Sequence, residues 1–177
     1  NTRVITMRPL PSLLIALIVS CGFATTAVMA DDKDDELKEL RAEIQTLRGM
    51  IPGQAFAMTQ VAYNASNLGI AAQAGNWPLA TFYLGETRVR LRAAMRLQPV
   101  RKISTGDLEL TPIATAVENT QLAALEGILA KQDKAAFAQG YSDLLNACQA
   151  CHIASEKPFL QLTPPTSPAE TLLKFQP

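Results

Sequence analysis

Near its C-terminal end the chain reads Cys148-Gln149-Ala150-Cys151-His152, and this C-x-x-C-H pattern constrains the fold more than any other feature. Two thiols at that spacing can each add to one vinyl group of a haem. The histidine that follows is then held under the iron as an axial nitrogen ligand. A chain committed to that chemistry has to build apolar packing around a flat ring. The sequence contains one histidine and three cysteines, and the motif uses the histidine and two of the cysteines. Two other uses of the pair stay open. A thioredoxin-like dithiol wants a βαβ pattern nearby, and none is visible. A structural zinc site wants four ligands, and here only a carboxylate could complete the set.

The N-terminus agrees with the first use. Residues from Leu10 to Val28 are apolar or small almost throughout, Arg3 and Arg8 precede them, and Val28-Met29-Ala30 is followed by Asp31-Asp32. A basic start, an apolar run and a small-x-small site describe a secretory signal peptide over residues 1–30, with Met7 as a natural start and residues 1–6 upstream of it. Cleavage after Ala30 removes Cys21 and leaves the two motif cysteines as the only thiols. Haem c is attached outside the cytoplasm in bacteria, so the expected location is periplasmic. The alternative is a lipid anchor, because Ile18-Val19-Ser20-Cys21 looks like a lipobox. Gly22, Thr25 and Thr26 thin the run and weaken an uncleaved membrane anchor.

About 147 residues then remain, enough for one domain with a real core. Loss of Arg3 and Arg8 would take the formal charge from zero to about −2, which does not point to nucleic acid as a partner. Few β-branched runs and many Ala, Leu and Gln residues favour helix. Leu37, Leu40, Ile44 and Leu47 predict an amphipathic helical arm over residues 31–50, either a solvated arm or a coiled-coil or docking segment. Met50-Ile51-Pro52-Gly53 ends it.

Four further helices are predicted between residues 51 and 160. The first runs from about Gln54 to Ala74 with a stripe of Met58, Val61, Ala65, Leu68 and Ala72. Gly75-Asn76 stops it and Trp77-Pro78 starts the second, which ends near Gln98-Pro99. Residues 99–110 form the longest internal connection. Thr111-Pro112 starts the third, and Asp133 caps the fourth, in which Phe137, Tyr141, Leu144, Cys148 and His152 fall near one face. Residues 161–177, with Pro164, Pro165 and Pro168, form a tail that wraps the surface. The expected fold is all-α, an antiparallel four-helix bundle plus an extra N-terminal helix.

Helices of that number and spacing, with the haem motif at the end of the last one, resemble the cytochrome c′-like group over residues ~54 to ~155. Small class I cytochromes c carry the motif early and a Met ligand much later, whereas here no Met follows it. Only Cys148, Cys151 and His152 transfer residue by residue. The resemblance implies one covalent haem c, and a homodimer through the first two bundle helices. A narrower resemblance joins Ala74-Gly75-Asn76-Trp77-Pro78-Leu79-Ala80, the late motif and Pro158-Phe159 to poorly characterised exported bacterial monohaem proteins. Their first helix tends to carry a histidine shortly before this segment. Asn64 and Ala65 stand in that neighbourhood here, so no role of that histidine carries over.

His152 is the proximal ligand, and bis-histidine ligation within one chain is excluded. Met58 is the candidate sixth ligand, with Met95 on the next helix, and a thioether there would favour electron transfer. The alternatives are a core role for these methionines, an empty apolar distal side open to NO or CO, or a lysine or the N-terminal amine. Arg88, Arg92 and Arg96, with Arg90, Arg101 and Lys102 near them, either meet haem propionates, dock an acidic redox partner or form a solvated face. Trp77 either packs on the porphyrin or on the protein core, and Tyr63, Tyr83 and Tyr141 are candidate donors to a bound gas. No second histidine is available as a peroxidase base, and the motif claims the one a hydrolase would need. The expected function is electron transfer by an exported monohaem c-type cytochrome acting with redox partner proteins. Binding or sensing of NO or CO is the alternative, and neither is an enzyme activity.

Overall fold

The computed structural model describes residues 33–170 and 172–177, and the architecture is mostly helical. The expected signal-peptide cleavage site and Cys21 lie outside the described residues. Among the described residues no helix is long and apolar enough to cross a membrane. The chain divides into two units, Asn1–Ile51 and Pro52–Pro177. The described part of the first is a single helix, α1 (33–50), exposed along its whole length.

In the second unit, α2 (Gln54–Gln73) buries Ala57, Val61, Asn64, Leu68, Ala71 and Ala72 at helical spacing. Met58 and Ala65, expected on that stripe, sit half-buried at its edge. The helix ends because Gly75 adopts φ +80°, which lets the Asn76 N–H reach the Ala71 carbonyl and the Gly75 N–H that of Ala72. Asn76 then caps α3 (Trp77–Leu97) by accepting from the Leu79 N–H at 3.3 Å, with Pro78 in the first turn, where no N–H is needed. This tight reversal makes α2 and α3 the most extensively packed pair of elements.

Residues 99–110 are more ordered than a bare connection. β1 (Val100–Ile103) and β2 (Gly106–Glu109) form an antiparallel hairpin in which Arg101 pairs with Leu108. Helix α4 (Leu110–Val117) begins at once, one residue before the expected Thr111, with the Leu110 N–H donating to the Pro99 carbonyl at 2.8 Å. The expected third helix is therefore not continuous. A π-helical turn, Glu118–Leu122, separates α4 from α5 (Ala123–Lys131) and turns Leu122 fully into the core. Gln132 closes α5 in the left-handed conformation, and Asp133 caps α6 (Lys134–Ala154) by accepting from the Ala136 N–H at 2.9 Å.

Helices α2 and α3 pack on each other, α3 meets α4 and α5, α5 meets α6, and α6 returns to α2. The larger core cluster joins Leu68, Leu84, Leu122, Leu125, Phe137 and Tyr141, and it includes Phe175 from the tail. The tail crosses the helices through specific contacts. The N–H groups of Ala169 and Glu170 both donate to Asn67 Oδ1, at 2.9 and 3.1 Å, and Phe175 stacks on Tyr83.

Candidate functional site

The end of α6 carries the motif, and the chain around it is arranged by hydrogen bonds to that end. Cys148 and Cys151 are free thiols, each partly buried. Cys148 packs against the larger core cluster, and Cys151 against a second, smaller one. That second cluster consists of Ala57 and Val61 from α2, Ala94 and Met95 from α3, and Leu110 opening α4. Met58, Leu91, Leu108 and Ala114 pack around it. The start of α2, the end of α3, the hairpin, the start of α4 and the end of α6 therefore meet in one apolar region. Both methionines singled out in the sequence belong to it, and so does one motif cysteine.

Burial pushes the Cys148 thiol up to about 11, helped by the neighbouring Cys151, and burial also raises Cys151. Both are therefore held as S–H at neutral pH, which slows oxidation because disulfide chemistry proceeds through the thiolate. Among the described residues no three Cys, His, Asp or Glu side chains converge as ligands for a bare metal ion. The thioredoxin comparison finds no support in a hairpin of two antiparallel strands.

His152 is half-buried, and its Nδ1 lies 3.3 Å from the Leu160 carbonyl oxygen. A carbonyl only accepts, so the contact favours the tautomer with the proton on Nδ1. That leaves the Nε2 lone pair free, and a carbonyl accepting from Nδ1–H is the kind of contact that orients a metal-binding imidazole. Leu160 is held in turn, because its N–H donates to the Lys157 carbonyl at 3.0 Å and, two residues on, the Leu162 N–H donates to Gln149 inside the motif at 2.9 Å. The donor set thus fits a haem c: two thiols on one helical face, an imidazole with Nε2 available, and an adjoining apolar cluster.

The hairpin fastens the same end. Arg101 Nε donates to the Ser155 carbonyl and its Nη1 to Gln54, both at 3.0 Å, so one guanidinium ties the last turn of α6 to the first turn of α2. The Ser104 N–H donates to Glu156 at 2.9 Å. The sequence showed Arg101 only as one charge among several. Pro158 signalled that the chain must turn, but not which carbonyl would face His152.

The arginine stripe on α3 divides. Arg92 grips Glu118 on the π-helical turn, with its Nε at 2.8 Å, and Arg88 bonds Glu126 at 2.8 Å. Arg90 pairs with Glu86 on its own helix and Lys102 with Asp107 across the hairpin. Arg96 has no ionic partner among the described residues and, with Arg92 and Met95, lines an open groove of about 400 Å³ between α3 and α4. The Arg92 guanidinium holds the Glu118 carboxyl below the usual carboxylate range. That stabilisation is present above the unfolded carboxyl value of about 4.3 and is lost as pH falls through the lower folded value. Urea unfolding of Glu118→Gln should therefore show a loss of about 1 kcal/mol at pH 7 that shrinks as pH falls through the lowered folded value.

Trp77 packs on the larger cluster, at the far end of α3 from Met95. Tyr63 donates to Glu170 and Tyr141 to the Ala65 carbonyl, so those hydroxyl protons are engaged, while Tyr83 stacks on Phe175. No known protein family, curated protein or solved structure matches the chain.

Proposed function

We propose that the chain is an exported monohaem c-type cytochrome that carries single electrons in the periplasm. In this reading the second unit is an antiparallel four-helix bundle made of α2, α3, α4 with α5, and α6, in the manner of the cytochrome c′-like group. The closed ring of neighbours from α2 round to α6 supports that arrangement. Cys148 and Cys151 hold the haem by thioethers, and His152 offers Nε2 to the iron. When bound, haem c supplies a one-electron iron couple.

The observation that carries the proposal is the meeting of Cys151, Met58 and Met95 on one apolar cluster, beside a histidine oriented through Nδ1. We assign the sixth position to Met58, which stands in the first turns of α2. The Leu160 carbonyl favours the His152 tautomer with the proton on Nδ1. Of the stripe arginines Arg88, Arg90, Arg92 and Arg96 on α3, Arg96 is the one without an ionic partner among the described residues, and it would meet a propionate. Ile153, Phe159 and Leu160 expose apolar surface next to His152, where a redox partner protein would approach.

One observation favours the second reading, a five-coordinate site for NO or CO. Apart from Cys151, the cluster contains no titratable side chain, so nothing there but a thioether would compete with a neutral diatomic ligand. Visible spectra of the haem-loaded protein, oxidised, reduced and reduced with CO, separate the two. The expected wild-type spectrum is low-spin and hardly moved by CO, and Met58→Ala should convert it to a high-spin, CO-responsive one. A wild-type spectrum already high-spin and shifted by CO would replace electron transfer with gas binding. Protein isolated without haem from cells equipped to attach haem c would reject both.

A further inference from the structure

Helix α1 exposes Leu37, Leu40, Ile44 and Leu47 at 45%, 46%, 45% and 54%, and Ile51 just beyond its end at 51%. The intervals alternate between three and four residues. They place Leu37, Ile44 and Ile51 at heptad position a, and Leu40 and Leu47 at d, which is a narrow seam on an otherwise polar helix. The outer positions agree: Asp35, Lys38, Glu39, Gln45 and Thr46 face away from it, and Lys38 pairs with Asp35 at 2.8 Å. Lys33 would fall at d, so the seam starts at Leu37.

The charges flanking the seam identify what covers it. In this register Glu36 and Glu43 occupy g, and Arg41 and Arg48 occupy e. None of the four has an ionic partner among the described residues. In a parallel pair of identical helices each g residue faces the e residue five positions on in the other copy. Glu36 then faces Arg41 and Glu43 faces Arg48, and symmetry repeats both contacts. In an antiparallel pair g faces g and e faces e, which sets Glu against Glu and Arg against Arg. The same four residues attract in one orientation and repel in the other.

We propose that α1 is a dimerisation element that joins two copies of this chain as a parallel two-stranded coiled coil. The β-branched Ile44 at a, with leucine at both d positions, suits two strands rather than more. Two heptads carry a heavy nucleation cost, so the dimer forms and dissociates with concentration. This surface is separate from the first two bundle helices, and it does not depend on the haem reading.

The test is sedimentation equilibrium of the full purified chain at low ionic strength, for wild type and two charge reversals. Wild type should shift from monomer to dimer mass as concentration rises. Arg41→Glu with Arg48→Glu makes every flanking charge acidic, and Glu36→Arg with Glu43→Arg makes every one basic. Each should weaken self-association at least about tenfold, since four attractive contacts become repulsive. An equimolar mixture of the two should recover the dimer, because Glu again faces Arg. Far-UV circular dichroism reports whether α1 stays helical in each. A wild-type protein monomeric at all concentrations, a trimer, a dimer indifferent to both reversals, or a mixture that stays monomeric would each overturn the proposal.

Discussion

Replacing both Cys148 and Cys151 by alanine is expected to take covalently held haem from one per chain to none. Each thioether forms when a thiol adds its sulfur to one carbon of a vinyl group and its hydrogen to the other, so no electrons leave and no oxidant is needed. The two thiols are suited to this, since burial holds both in the S–H form and slows their loss to a disulfide. Either single variant keeps one bond to the ring. It should retain haem through denaturation with the reduced absorption band displaced towards that of unattached haem. His152→Gly keeps both bonds and removes the axial nitrogen; added imidazole should restore the low-spin spectrum. Each lost sulfur leaves a small gap against its cluster, at about 1 kcal/mol, so far-UV circular dichroism should find the helices in place. Haem extractable from the wild-type protein by denaturation would remove the basis of the assignment.

The proposed attachment rests on five consecutive residues, because covalent attachment is a local requirement. The helix boundaries were legible for a related reason. Gly75, Asn76, Pro78 and Asp133 act on backbone groups within a few residues of themselves, and all four do so in the structure. What the sequence withheld depends on residues far apart in the chain. The face of α2 is turned slightly from the expected stripe because Asn64 and Asn67 are buried, and Asn67 is buried because the tail, a hundred residues on, donates two N–H groups to it. The π-helical turn has no composition signal; its effect is to carry Glu118 to Arg92 and Leu122 to the core. The hairpin is too short for a periodic pattern, and the role of Arg101 appears only once the start of α2 and the end of α6 lie side by side. Likewise, Met58, Met95 and Cys151 give no sign in sequence that they share one cluster.

Phe175 lies in a proline-rich stretch that reads as a surface wrapping, yet its substitution should be among the most destabilising in the chain. It is 7% exposed, belongs to the larger core cluster and stacks on Tyr83 with ring centroids 6.1 Å apart and planes 5° apart. Phe175→Ala removes a full aromatic side chain from packed surroundings, a loss of about 3 kcal/mol and a fall in Tm of about 10 °C. The neighbouring Leu172 is 91% exposed, so Leu172→Ala should leave Tm unchanged. The loss should propagate through Asn67, which is fully buried and whose Nδ2 has no hydrogen-bond partner among the described residues. Its Oδ1 is satisfied only while the tail supplies Ala169 and Glu170. Once Phe175 no longer pins the tail, those two bonds open to water, and Asn67→Ala should then cost less than it does in the wild type. Thermal melts of the two single variants and the double variant measure that coupling. Strict additivity would mean that Phe175 and Asn67 act independently and that the tail is held at two unrelated points. A Phe175→Ala variant as stable as Leu172→Ala would mean that the tail does not close over the core in solution.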